Sequence, residues 1–361
     1  MQELGKHFIV GVQGAVLLSE ERTLWQKLRP LGVIIFKRNV AQTADWRPSL
    51  RDLILELKEL SGRDDFIASI DHEGGRVHRL SPPITLFPAA KNWKGNSFAV
   101  GAAMGRELAS LGINLNFAPS FDVLTQTNNK VIGERAFSSE PETVLASGLA
   151  FLQGLESEGV LGCAKHFPGH GGTLEDSHYA LPSIELSKEE LDTQELLPFK
   201  GYIESGRKLI MTAHVVYKAL DLENPATLSK PILSGLLRDE LGFKGAIITD
   251  ALDMGALSKV SPAEVATKFI KAGGDLFCVC QDTNDKNSEG KKLTPIQAAL
   301  AYSDALSLNS EIADDLARSL VAIELFLIEL RRVEQFAKKT LSEAEITKAA
   351  NLVQLITSGN A

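Results

Sequence analysis

The densest collection of reactive side chains is AKHFPGHGGTLEDSHYALP, residues 164–182, where three histidines, an aspartate and a lysine crowd a Gly/Pro-rich loop. Three chemistries compete for it. A metal site could draw on His166, His170, Asp176 and His178, but the spacing of the first two suits a helix that Pro168 and Gly169 break. A phosphate cradle could use the GHGG glycines, yet no Lys-Ser/Thr follows them. The third reading is acid–base chemistry. Asp176 and His178, separated by one serine, can lie side by side on a loop, so that the carboxylate fixes the imidazole tautomer and steadies its charged form. An imidazole titrating near neutrality can give a proton and take one back. A DSH triplet also occurs in ordinary turns, so its weight depends on where it sits.

Other polar residues share one kind of position. Asp71 ends an apolar run and leads into DHEGGRVHRL; Arg135 lies in VIGERAF after the next run; Lys165 and His166 end the following one, His214 the one after, and Asp250 the last of this series. Strand ends meet solvent and are often polar, so any one of them means little. Five on successive runs describe a shared site.

The runs that carry them are residues 8–14, 32–36, 66–71, 113–119, 160–167, 208–215, 245–252 and 275–280, several apolar almost throughout, as in strands buried on both faces. Helical patterns alternate with them, such as WRPSLRDLILELKEL and KEELDTQELLPFKGYIES. Eight strand–helix units predict an α/β fold of the (β/α)8 TIM-barrel type, in which reactive groups gather at the C-terminal strand ends. GVQGAV is a poor match to the glycine-rich turn of an open dinucleotide-binding sheet. The expected organisation is a catalytic barrel over residues 1–306 and a helical extension over 307–361. Its two helices, SEIADDLARSLVAIELFLIELRRVEQFAKK and SEAEITKAANLVQLI, each begin with a serine suited to cap them. The extension is expected to pack on the barrel or on a second subunit, which would make a homo-oligomer.

Composition narrows the partners. Of 361 residues, 44% are hydrophobic and 23% charged, the balance of a chain with a large core. A net charge of -8 disfavours nucleic acid. No stretch approaches the roughly 18 uninterrupted apolar residues of a membrane span, and the first residues form a glycine-broken apolar run without a basic leader. A cytoplasmic location is the expectation. Cys163, Cys278 and Cys280 sit in apolar runs and read as buried thiols.

In this order DHEGGRVHRL, GINLNFAPSFDV, AKHFPGHG, DSH and ITDALDMGAL resemble family 3 of the glycoside hydrolases, and most nearly its NagZ-like β-N-acetylglucosaminidase branch. The resemblance covers about residues 8–290. It implies a retaining glycosidase without metal or organic cofactor, in which Asp250 is the nucleophile and Asp176 and His178 the acid–base pair. Asp71, Arg79, Arg135, Lys165 and His166 would hold the hydroxyls of the terminal sugar, with His214 and Met254 near the pocket and Asp253 structural. The implied substrate is a small carbohydrate, a terminal β-linked N-acetylglucosaminide such as a peptidoglycan turnover fragment. The glycine-rich start of GGTLEDSHYALP predicts a loop that opens to admit sugar and closes to bring His178 over the bond. A neutral imidazole base repels anions less than a carboxylate does, so phosphate could replace water as acceptor. A β-glucosidase on the same chemistry and a sugar-binding barrel without activity are the alternatives. The chain departs from the pattern at His78, where glutamine is expected, at GERAF, where GDR is more usual, and at Ala251, where a second aspartate often follows the nucleophile.

Overall fold

The computed structural model describes residues 4–173, 181–257, 260–280, 292–338 and 340–358. In chain order its elements are β1 (Phe8–Gly11), α1 (Ser19–Leu28), β2 (Gly32–Ile35), α2 (Arg47–Ser61), β3 (Ile67–Ile70), α3 (Ser97–Ser110), β4 (Leu115–Asn116), α4 (Pro141–Ser157), β5 (Leu161–Gly162), β6 (Ala164–Phe167), β7 (Ser183–Ile184), α5 (Lys188–Thr193), α6 (Leu197–Glu204), β8 (Leu209–Thr212) and β9 (Val216–Tyr217). A π-helix, Pro231–Glu240, then precedes β10 (Ala246–Ile248), α7 (Pro262–Ala272), β11 (Phe277–Val279), α8 (Pro295–Ser307), α9 (Ala313–Glu334) and α10 (Glu343–Thr357).

The architecture is α/β with parallel sheets. Six strands pair in the order β11-β1-β2-β3-β4-β5 and three in the order β10-β8-β6. Single parallel bridges, Ile248 with Leu276 and Ser120 with Lys165, join the two sheets at both margins. Every expected run contributes a strand, but each ladder is shorter than its run, because the terminal residues turn away to carry side-chain contacts. The run 160–167 is interrupted at Cys163 and gives β5 and β6. The expected helix over KEELDTQELLPFKGYIES divides into α5, capped by Ser187, and α6, with a proline in its first turn. A short pair, β7 with β9, was not apparent from the sequence.

Alternation along the strands sorts side chains into two layers. Phe8, Val10, Val33, Ile35 and Val279 face the surrounding helices, whereas Ile9, Ile34, Ile67, Cys163, Met211, Ile248 and Cys278 pack against one another within the strand array. Helix α9 closes one side of this inner cluster with Ile323, Phe326, Leu327, Leu330 and Val333, all buried. Their spacing of three and four residues makes one helical stripe, and burying each side chain contributes roughly 1.5–3 kcal/mol. The same helix bonds to residues just before strands: Arg318 to Asp275 and Glu334 to Asn114. It therefore covers the N-terminal strand ends. Ser342 caps α10 as expected, but the cap ahead of α9 is Asn309, which starts a 3-10 turn that Ser310 merely continues. Asn309 lies at the point where the chain leaves an extended conformation, and that geometry selects the cap.

Candidate active site

The C-terminal strand ends open on a cleft of about 440 Å³. Asp71 follows β3, Lys165 and His166 lie in β6, Asp250 follows β10, and Cys278 and Cys280 come from β11 and its end. Arg135 enters from the turn Gly133–Arg135. Seven of the ten residues singled out from the sequence line this one cleft: Asp71, Arg79, Arg135, Lys165, His166, Asp250 and Met254.

A chain of alternating charge runs across its floor. Lys165 Nζ donates to Asp71 Oδ1 at 2.8 Å and approaches Glu73 Oε1 at 2.7 Å. Arg135 grips Glu73 through two parallel bonds of 2.7 and 2.8 Å. Arg79 completes the row, 3.6 Å from Asp71 Oδ2. Burial alone would raise the Glu73 carboxyl, yet Arg135 and Lys165 hold it well below the usual carboxylate range. Both cations in turn stay charged despite their burial, because the acidic neighbours outweigh desolvation. The apolar ring of Phe36 lies under two guanidiniums, Arg38 at 4.6 Å and Arg79 at 5.4 Å from its centroid.

His166 Nδ1 meets Asp122 Oδ2 at 2.8 Å, and its Nε2 lies 3.3 Å from Arg135 Nη2 and 3.9 Å from Asp250 Oδ2. Asp250 Oδ1 accepts from the Ala251 backbone at 2.7 Å, which leaves Oδ2 toward the cleft. Burial opposes ionisation of Asp250, but His166, His214 and Lys165 hold the carboxyl down to about 2. It is an anion at any working pH. At the position of the missing second aspartate, Ala251 donates its backbone N–H to Asp250 and accepts from His214 Nε2 at 3.1 Å, contacts that need no side chain.

His214 itself is buried behind this turn, with Nδ1 on Thr227 Oγ1 at 2.7 Å, and does not line the cleft. Met254 lines it from the side, and Asp253 accepts from the Cys280 backbone at 3.1 Å, a structural bond. All three cysteines are free and buried. His170 also lines the cleft, buried, with its Nδ1 2.8 Å from Thr173 Oγ1, and burial lowers it to about 4. No group of three or more metal-ligating side chains occurs among the described residues. Asp176 and His178, with the loop expected to move, fall within residues 174–180, outside the described residues.

Residues 9–323 match the family model described as the glycosyl hydrolase family 3 N terminal domain. The chain belongs to glycoside hydrolase family 3. It is 37% identical over 314 residues to beta-hexosaminidase A of Pseudoalteromonas piscicida, a match covering 81% of this chain and 52% of that protein, so the chain spans about half the length of that relative. It is 40% identical over 262 residues to a beta-hexosaminidase of Neisseria meningitidis serogroup C, covering 69% and 71%. Among solved structures it resembles the family 3 beta-N-acetylglucosaminidase of Paenibacillus sp. str. FPU-7, with a TM-score of 0.85, 34% identity and coverage of 99% and 68%. It also resembles NagZ from Neisseria gonorrhoeae in complex with N-trifluoroacetyl-D-glucosamine, with a TM-score of 0.74, 29% identity and coverage of 97% and 98%.

In this family 3 chain the sequence reading passed over the acids that hold the visible ones. Glu73 stands inside DHEGGR and Asp122 inside GINLNFAPSFDV, both in quoted motifs, but neither was singled out, since neither ends an apolar run. Asp122 is fully buried and accepts from the backbones of His166, at 3.1 Å, and His170, at 2.7 Å, besides the His166 ring. The departure at His78 lies behind the cleft: its ring bonds the Leu80 and Thr85 carbonyls at 2.7 and 3.0 Å and rests 4.0 Å from the His72 ring, so it shapes the loop after β3.

Proposed function

We propose that this chain is a retaining β-N-acetylhexosaminidase that releases terminal β-linked N-acetylglucosamine through a glycosyl-enzyme intermediate on Asp250. The observation that carries the reading is the Asp250 carboxylate, kept ionised by His166, His214 and Lys165, with Oδ2 turned to a cleft whose walls alternate acids and bases. Names and ligands of the relatives support the sugar: beta-hexosaminidases in Pseudoalteromonas and Neisseria, and N-trifluoroacetyl-D-glucosamine bound to the gonococcal NagZ.

Cleavage passes through an oxocarbenium-like state that needs negative charge on one face of the ring and a proton for the departing oxygen on the other. Asp250 Oδ2 forms the bond to the anomeric carbon as the glycosidic C–O bond breaks and His178 gives its proton to the leaving oxygen. Water then attacks the same carbon, His178 takes back a proton, and the Asp250–sugar bond breaks. Asp176 orients the imidazole. Asp71, Arg79, Lys165, Arg135 and His166 bind the hydroxyls, with Glu73 fixing the two cations between them. Met254 bounds the pocket, and His214 supports the turn that carries Asp250 from behind. The strands would form a closed (β/α)8 barrel over residues 1–306 with 307–361 as its helical extension; the Ile248–Leu276 and Ser120–Lys165 bridges between the two sheets support closure. Peptidoglycan turnover fragments met in the cytoplasm are the proposed substrates, a reading supported by the likeness to NagZ.

Incubation with a 5-fluoro N-acetylglucosaminyl fluoride, followed by peptide mass mapping, is expected to place one sugar on the peptide containing Asp250. Asp250→Ala should remove that label and lower kcat at least ~10⁴-fold without loss of fold, since the residue supplies a reaction step and little packing. A label on another residue, or faster turnover of nitrophenyl β-glucoside than of the N-acetyl-β-glucosaminide, overturns the proposal.

A further inference from the structure

The chain reaches Asp176 only three residues beyond a buried turn, residues 168–173, and two carboxyls in opposite states hold that turn. On one side Asp122 accepts from the His166 and His170 backbones, the His166 ring and Ser120 Oγ. Burial opposes its ionisation, but His166 and these donors keep it below the ordinary carboxylate range. On the other side is Glu195, fully buried between α5 and α6. Its Oε1 accepts from Thr125 Oγ1 at 2.9 Å, and the backbones of Gly172 and Val123 also bond to the carboxyl. Its Oε2 has no hydrogen-bond partner among the described residues.

The fit between this carboxyl and the turn is close. A Cβ on Gly169, whose φ is +134, would stand 2.4 Å from Glu195 Oε2, and one on Gly172 would stand 3.2 Å from Oε1. Both glycines therefore rest against the carboxyl, and at Gly169 the positive φ and the 2.4 Å approach leave room for no other residue type. Tyr217 donates to the Gly169 carbonyl at 2.5 Å, and Asn129 Nδ2 to the His170 and Gly171 carbonyls at 2.8 and 3.1 Å. Among the described residues, the ionisable groups that act on Glu195 are Asp122 and Tyr217, neither of them a cation.

We propose that Glu195 is a positioning residue for the acid–base step: its carboxyl, seated against Gly169 and Gly172, holds the buried turn 168–173 that immediately precedes the segment of Asp176 and His178 in the chain. The inference rests on the acid–base reading of that pair. Burial pushes the carboxyl up to about 8, so Glu195 supports the turn as a neutral group. Its neutral state is matched by glutamine, and its reach is not matched by aspartate or alanine.

The test compares Glu195→Gln, Glu195→Asp, Glu195→Ala and His178→Ala on two substrates. Chitobiose has a poor leaving group that needs a proton; nitrophenyl N-acetyl-β-glucosaminide needs little help. Glu195→Ala and Glu195→Asp are expected to lower kcat on chitobiose at least ~10-fold and on the aryl glycoside less than ~3-fold, with KM little changed, while Glu195→Gln keeps at least about a third of kcat on both. Thermal melts accompany each variant, and if alanine does not fold, the aspartate variant decides. The melts also report the protonation state. A carboxyl raised from about 4.5 to about 8 contributes stability fully present below pH 4.5 and lost as pH rises toward 8, so the melting temperature of Glu195→Gln should gain on that of the wild type across this window. Equal losses on both substrates in the aspartate and alanine variants, or no rescue by glutamine, overturn the proposal. If His178→Ala also loses both substrates equally, the acid–base reading fails and takes the inference with it; if His178→Ala discriminates and the Glu195 variants do not, the inference fails alone.

Discussion

At each end of the strands a buried carboxylate stands between two cations, and the two clusters serve opposite ends. Glu73, at the C-terminal side, joins Arg135 and Lys165, and both cations reach onward to His166 or Asp71 and to the open cleft. Asp275, at the N-terminal side, joins Arg238 and Arg318 at 2.5 and 3.1 Å and also accepts from the Ile247 backbone at 2.7 Å. There the guanidiniums end on main-chain carbonyls: Arg238 on Gly273, and Arg318 on Ile270, Gly273 and Gly274. Nothing of that cluster faces the cleft. One triad holds charges ready for a ligand; the other staples α7, the π-helix and α9 beneath the strands. Placement, more than composition, separates a binding device from a structural one.

Breaking the comparison at its functional end should have the larger effect on activity. Glu73→Gln leaves Arg135 and Lys165 without their shared anion, and kcat/KM is expected to fall about 10²–10³-fold, equivalent to about 3–4 kcal/mol, measured on the aryl glycoside beside a melt that shows the protein still folded. Because Arg135 and Lys165 hold Glu73 below its unfolded value, its contribution to stability is present above the ordinary carboxylate range and is lost as pH falls through the lower native value. At the other end, Asp275→Ala should cost about 3–5 kcal/mol of stability by urea titration, the penalty of stranding two partly buried guanidiniums, while kcat per folded molecule is unchanged. If Asp275→Ala reduces kcat of the folded fraction as much as Glu73→Gln does, the division of labour is refuted.

The smallest effect isolates burial with no cation beside the acid; at Asp275 burial raises the carboxyl even against Arg238 and Arg318. Glu107 is buried like the other two but has Thr85, through its backbone and hydroxyl, in place of a cation, and burial raises its carboxyl to about 7. Such a group contributes stability below its unfolded value near 4.5 that is lost as pH rises through 7. Glu107→Gln is therefore expected to gain on the wild type in thermal melts between pH 4.5 and 7, by no more than about 3 kcal/mol. A difference that does not change with pH would show that Glu107 titrates alike in the folded and unfolded protein.

What could be read from the chain was whatever is local. Apolar runs of four to eight residues announce strands, since burial on both faces leaves no room for polar side chains, and the residue that ends each run is where a reactive group can first appear. Asp71, Lys165, His166 and Asp250 were found in this way and line one cleft. His214 obeys the same rule and lies behind the cleft, because both its ring nitrogens are taken by Thr227 and Ala251. The end of a run says that a side chain leaves the strand layer, not which way it then turns.

Glu73, Asp122 and Glu195 carried no such mark. Their partners are remote, 62 residues away for Glu73 with Arg135, 44 for Asp122 with His166 and 70 for Glu195 with Thr125. The sequence by itself determined the alternation of strands and helices and the residues that close each run, because hydrophobic periodicity is a property of neighbours along the chain. Only the tertiary structure decided which acids sit between cations and which sit alone. Protonation state depends on the charges and donors that folding brings within a few ångströms, and those come from segments whose mutual stagger no local pattern encodes.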